Sequence, residues 1–262
     1  MFETIALSTD ARGVATLTLS REDKHNSMSA QMIDDLTEAA RQLAADRSVR
    51  VVVLTGAGTS FCAGGDLAWM RAQFDADRAT RIAEARKLAL MLQALNELPK
   101  PLIGRIQGQA FGGGIGLMSV CDVALAGAWA KFGLTETRLG LIPATISPYV
   151  LARMGEGNAR RVFMSARIFS AEEARELGLV SRVVEADELD EAVEREVKPY
   201  LTAAPGAVAA AKALARSLGP AISDAVIAET VEKLADCWEA PEAREGIAAF
   251  FDRRKPAWAI DA

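Results

Sequence analysis

Residues 51–54 are Val, Val, Val and Leu, apolar at every position inside a strand-like stretch at 49–55 that Gly56 closes. A strand with no polar face must be covered on both sides, which is the situation of a parallel strand between layers of helix. The rhythm around it agrees. Residues 4–8 and 14–19 are rich in β-formers on either side of a turn signal at 10–13. Ser29 is placed to cap a helix running to about residue 46, with Met32, Leu36, Ala39, Ala40 and Leu43 on one face. A second helix is expected over 78–98, with Ile82, Ala85, Leu88, Leu92 and Leu95 in register, stopped by Pro99-Lys100-Pro101. Strands are expected at 102–107, 122–126 and 180–184, a short apolar helix at 115–120, and a capping-box helix opening at Ser170 with Glu173. From Asp187 onward the chain reads as helix, broken at Pro205, Gly219-Pro220 and Pro241. The expectation is an α/β body over residues 1–196, followed by a helical region over 197–262.

Several function classes fall to simple counts. The chain has 262 residues and is 50% hydrophobic, enough to bury a core without staples. Its 30 basic and 35 acidic residues argue against a protein held on nucleic acid by phosphate contacts. Cys62, Cys121 and Cys237 are an odd number without short spacing, which argues against a disulfide framework and for a reducing, cytoplasmic location. His25 is the one histidine and sits in the polar stretch 21–26, so neither a Ser-His-Asp triad nor a Cys/His zinc site has its parts. No metal is expected. Nor is a signal peptide or a membrane span, because no basic n-region and no run of eighteen apolar residues occurs.

Three stretches are equipped for chemistry. The first runs from Thr55 to Asp66 and is dense in glycine. It fails the dinucleotide fingerprint, because Phe61 stands where the third glycine belongs, and no Lys-Ser/Thr pair follows for a phosphate loop. The second is Gly112-Gly113-Gly114, directly before an apolar helix. Unpaired N–H groups at such a start suit a phosphate or a developing oxyanion, and a tight turn also needs glycine. The third is Lys131 to Pro143, where Glu136 stands among apolar residues and glycines. Such surroundings suit a general acid or base, while Arg138 nearby offers it an ordinary ion pair. Cys62 reads as a small packed residue, His25 as a surface loop residue. Trp69 and Met70 suit either an acyl pocket or plain packing.

Taken together and in order, Phe61-Cys62-Ala63-Gly64-Gly65-Asp66-Leu67, Phe111-Gly112-Gly113-Gly114-Ile115-Gly116-Leu117, Cys121-Asp122, Phe132 to Glu136 and Leu139 to Pro143 resemble the enoyl-CoA hydratase/isomerase (crotonase) superfamily. The downstream Ser170 to Val180 and Phe251 to Trp258 stretches fit as well, so the resemblance spans nearly the whole chain. It implies a spiral of ββα turns with a C-terminal helical region used in trimer packing, the trimers often pairing into hexamers. It implies an acyl-CoA thioester substrate, with coenzyme A arriving as part of that substrate and no separate cofactor. The N–H groups of Gly65 and Gly113 would polarise the thioester carbonyl, and Glu136 would be the catalytic acid or base. Ala63, Asp66 and Leu67 would cup the CoA adenine, with Gly112 beside the acyl site. Lys24 and the Arg253-Arg254-Lys255 cluster would meet CoA phosphates, although a basic helix end is also simply favoured by the dipole.

One departure matters. Two-glutamate hydratases of this family carry a second glutamate where this chain has Gly116. Either Glu136 then works alone, or another group orients the water, or Glu136 shuttles a proton between Cα and Cγ as an isomerase. The wording around Gly104-Arg105, Asp66 to Met70 and Ile142 to Tyr149 resembles bacterial methylglutaconyl-CoA hydratases of leucine breakdown and related terpene-breakdown hydratases. These act on branched substrates with a distal carboxylate. Arg105 or Arg138 would meet that carboxylate, the alternative for either being a structural ion pair. Ala144-Thr145 replaces the Gly-Gly or Gly-Ala often seen there. A non-catalytic acyl-CoA-binding or RNA-binding protein is the remaining alternative.

Overall fold

The computed structural model describes residues 2–260; residue 1 of the expected body and residues 261–262 of the expected helical region lie outside the described residues. Strands β1 (Ile5–Thr9), β2 (Val14–Leu19), β3 (Val51–Gly56), β4 (Leu102–Ile106), β6 (Val123–Gly127) and β9 (Arg182–Val184) form one sheet in the order β1-β2-β3-β4-β6-β9. Only β1 runs antiparallel, in the hairpin with β2; every other pairing is parallel. All six residues of β3 are buried, as its unbroken apolar run requires. A small second sheet, β5 (Ala110–Phe111), β7 (Lys131–Gly133) and β8 (Ile168–Ser170), stands beside it.

Alternation along the strands divides the core in two. Leu17, Val52, Leu54, Leu102 and Ile106 face α1 (Ala30–Ala45) and α3 (Arg78–Asn96), in the main cluster with Leu36 and Leu92. Val51, Val53, Ile103 and Leu125 face the other way. Leu189, Val193 and Val197 of α8 (Leu189–Thr202) cover them, one helical turn apart. Each such side chain contributes about 1.5–3 kcal/mol of burial. The body boundary expected at 196/197 falls inside α8, whose apolar stripe packs on the sheet.

Expected elements recur with small shifts. Ser29 caps α1 by accepting the Met32 N–H, and the helix expected at 115–120 is α4 (Gly113–Ser119). Three regions were not anticipated: α2 (Leu67–Asp75), the short strands of the second sheet, and the pair α5 (Ser147–Met154) and α6 (Glu156–Phe163). After α7 (Ala171–Glu176), α8 and α9 (Pro205–Ser217), the chain turns back over the body. Ile227 and Val231 of α10 (Asp224–Glu239) pack on Ala85 and Ala89 of α3. Helix α11 (Pro241–Phe251) lies against the 3-10 turn Glu136–Leu139, and the approach is backbone to backbone. A Cβ on Gly246 would sit 2.7 Å from the Leu139 carbonyl oxygen, and one on Gly140 2.5 Å from that of Glu242. Among the described residues no helix is long and apolar enough to cross a membrane.

Candidate active site

A cavity of about 430 Å³ opens where four parts of the chain meet. The loop before α2 supplies Ala63, Gly64 and Gly65, and α2 itself Leu67, Trp69 and Met70. The start of α4 supplies Gly112 and Gly113, and the 3-10 turn with its flanks supplies Thr135, Glu136 and Arg138. Leu234 and Trp238 of α10 and Phe250 of α11 close the far side. Arg81 lies over the Trp238 ring, and Arg71 over that of Phe251, at 5.5 and 4.2 Å. These contacts tie the closing helices to α3 and α2.

Two backbone donors face this space. The Met28 N–H bonds to the Gly64 carbonyl and the Asp66 N–H to the Met28 carbonyl, which pins the loop on both sides of Gly65. The N–H of Gly65 itself, and that of Gly113 at the first position of α4, have no acceptor among the described residues. Gly112 precedes Gly113 with φ 47° and ψ −115°, a conformation reserved in practice for glycine. A Cβ there would come within 2.9 Å of Glu136 Oε1, so the carboxylate lies directly against this backbone.

Glu136 is held with little help, its own backbone N–H being the one hydrogen-bonding group that acts on the carboxylate. Its Oε2 is sealed from solvent and lacks a hydrogen-bond partner, and no ion pair with Arg138 forms. Burial disfavours the charged form and pushes its pKa up to about 7. The alternative of an ion pair between Glu136 and Arg138 is not realised: both line one cavity and no ion pair joins them. Arg138 is exposed at the rim, with no carboxylate partner among the described residues.

The other expected residues divide. Leu67 lines the rim, about half exposed. Lys24 ends the exposed 3-10 turn Glu22–Lys24 and does not line the cavity, although the Ala63 N–H bonds to the adjacent His25 carbonyl at 3.0 Å. The Asp66 side chain turns away to cap α2 and to bond Arg21 at 2.9 Å. Arg105 requires correction. It shares the α8 face of β4 with Ile103 and bonds Asp190 of α8 at 2.6 Å, on the sheet side opposite the main core. Strand alternation decides this, since Leu102, Gly104 and Ile106 take the other face. Arg254 pairs with Glu245 at 2.6 Å beside α11. Burial pushes the Cys62 thiol up to about 12, so it packs rather than reacts. Among the described residues no cluster of three or more His, Cys, Asp or Glu side chains is disposed to hold a metal.

The place of the absent second carboxylate is filled. A Cβ on Gly116 would meet Ile146 Cγ2 at 2.7 Å and Leu92 Cδ1 at 3.4 Å. Sequence reasoning marked Gly116 but missed Ile146. It also missed Leu234, Trp238 and Phe250, for which no local signal exists.

A family model for enoyl-CoA hydratase/isomerase matches residues 9–260. The chain is 37% identical over 215 residues to an enoyl-CoA hydratase of Alternaria alternata, covering 81% of this chain and 70% of that protein. It is 31% identical over 265 residues to the human mitochondrial methylglutaconyl-CoA hydratase, covering 96% and 75%. The crystal structure of an enoyl-CoA hydratase from Shewanella pealeana superposes with a TM-score of 0.81 at 36% identity, covering 98% of this chain and 97% of that one.

Proposed function

The chain belongs to the enoyl-CoA hydratase/isomerase family and is an enoyl-CoA hydratase at that level, and on this premise we propose that it hydrates a branched 2-enoyl-CoA with a distal carboxylate, such as methylglutaconyl-CoA. The observation that carries the reading is one cavity holding a buried, unpartnered Glu136 carboxylate and two unpaired glycine N–H groups.

The thioester oxygen accepts from Gly65 and Gly113, which draws electron density from Cβ and stabilises the enolate. One donor of this kind lowers a barrier by about 2.7–4 kcal/mol. Glu136 removes a proton from water as its oxygen bonds to Cβ, then returns that proton to Cα. A group that gives and takes one proton near neutral pH works best with a pKa near 7, which burial supplies. Lys24 meets CoA phosphate, while the backbone around Ala63, Asp66 and Leu67 cups the adenine and Gly112 walls the acyl site. Arg138, unpaired at the rim, receives the distal carboxylate in a two-point contact. A cytoplasmic trimer or hexamer is the assembly we expect, with leucine breakdown as its setting.

A second reading has its own support. Ile146 against Gly116 leaves a single carboxylate in reach, which suits proton shuttling between Cα and Cγ. Absorbance at the conjugated enoyl-thioester band separates the two. Crotonyl-CoA, methylglutaconyl-CoA and a 3-enoyl-CoA are each supplied to the purified protein. Loss of the band, fastest with the branched diacid, is expected. Gain of the band from the 3-enoyl-CoA alone makes the protein an isomerase. Faster turnover of crotonyl-CoA removes the diacid assignment.

A further inference from the structure

We propose that the Thr145 hydroxyl holds the attacking water, occupying the functional place that a second carboxylate would take at position 116. The inference rests on the hydratase reading above and deepens it.

Thr145 lines the same cavity as Glu136, yet it is only 6% exposed. Its hydroxyl makes no hydrogen bond to protein among the described residues. The other buried serines and threonines do not behave this way. Thr4 bonds Asp35, Thr55 the Arg105 carbonyl, Ser60 the His25 ring and Ser119 the Ile115 carbonyl. Buried polar groups in folded proteins are nearly always paired, and an unpaired one facing a cavity is equipped for a ligand.

The position is also the right one. Ile146, the next residue, fills the space beside Gly116. The same short segment therefore closes the carboxylate's place and offers a neutral hydroxyl next to it. That segment is rigid: the Ala144 N–H bonds the Ile142 carbonyl, and both the N–H and the Oγ of Ser147 bond the Ala144 carbonyl. A hydroxyl fixed in this way orients a water without exchanging a proton with it. The water's O–H bond breaks toward Glu136, its oxygen bonds to Cβ, and the proton returns from Glu136 to Cα. Thr145 keeps its own proton throughout, so all proton transfer belongs to Glu136.

Thr145→Val keeps the shape and removes the hydroxyl, and Thr145→Ser keeps the hydroxyl. Hydration kcat and KM are measured with the preferred 2-enoyl-CoA. Exchange of the Cα protons of a saturated acyl-CoA with D2O is followed alongside, because that step needs Glu136 and the glycine N–H groups but no attacking water. Thr145→Val is expected to lower hydration kcat about 10–100-fold, the effect of removing one buried hydrogen-bond partner, with KM nearly unchanged. Its exchange rate stays near wild type, and Thr145→Ser recovers most of the kcat. Wild-type kcat in Thr145→Val overturns the proposal. So does a parallel fall in hydration and exchange, which marks a packing role, or failure of Thr145→Ser to recover kcat. Should the wild type show no exchange, the kcat-against-KM split and the serine rescue decide. A wild type that hydrates nothing overturns the hydratase reading itself, and this inference with it.

Discussion

Asp66 and Glu136 are two carboxylates beside two glycine-rich loops of one cavity, and they have opposite lives. Both are removed from water, which by itself raises a carboxylate pKa. At Asp66 that effect is overcome by Arg21 and by the N–H groups of Trp69 and Ala68, and the carboxyl ends below its usual range. At Glu136 only its own backbone N–H opposes the effect, desolvation outweighs it, and the pKa rises to about 7. Burial alone therefore does not make a reactive carboxylate; burial without partners does. Asp66 spends its charge holding α2 and the Gly65 loop in place, while Glu136 keeps the near-neutral pKa that the proposed proton transfer needs.

The sharpest way to break this contrast is Glu136→Gln. It is expected to cut hydration by about 10³-fold or more while the protein still folds, and steady-state rates with a circular-dichroism spectrum check both. Retained activity would reduce Glu136 to a bystander. The two groups also predict opposite pH slopes of stability. The folded chain keeps the Glu136 proton up to about pH 7, whereas the unfolded chain releases it near 4.5, so its contribution falls as pH rises between these values. The loss approaches about 3 kcal/mol above pH 7 and disappears in Glu136→Gln, as denaturant melts across pH would show. The Asp66 contribution has the reverse sign. It is present above the usual Asp range and fades as pH falls through the lowered folded pKa.

The kinetic counterpart is that kcat/KM rises with pH toward a plateau through about 7, because Glu136 must begin ionised. Gly112→Ala comes next in size. The side chain would strain a backbone at φ 47° and press on Glu136 Oε1, at a cost of about 1–3 kcal/mol in stability together with a fall in kcat. Smallest is Asp66→Ala, which removes the cap of α2 and shows mainly as about 1–2 kcal/mol in melting.

Much of this arrangement was legible before any fold was known, because short-range rules write it. The apolar run at 51–54, the 3.6-residue stripes of α1 and α3, and the glycines at 64–65 and 112–114 are local signals with local causes. Glu136 stood out by its apolar neighbours in the chain, and its neighbours in space are apolar as well. Arg105 takes the ion-pair role rather than the substrate contact, and its strand carries the answer, since residues at 103 and 105 must share a face. Helix α2 was passed over because its stripe is weak, while its one clear mark, Asp66 as N-cap, looked like part of a binding motif. Ile146 against Gly116 and the wall of Leu234, Trp238 and Phe250 depend on segments far apart in sequence meeting, and no pattern of periodicity reports that.

The close seat of α11 on the Glu136 turn bears on the order in which the molecule becomes functional. Ribosomes deliver a chain from its N-terminus, and five of the six strands of the main sheet, both glycine loops and Glu136 all emerge before residue 140. The pieces that enclose them, Trp238, Gly246 and Phe250, come about a hundred residues later. During that interval the Glu136 turn lacks the cover that α11 gives it. The cavity is enclosed only when the last helices fold home, so the C-terminal end of the chain completes a pocket that the N-terminal half begins.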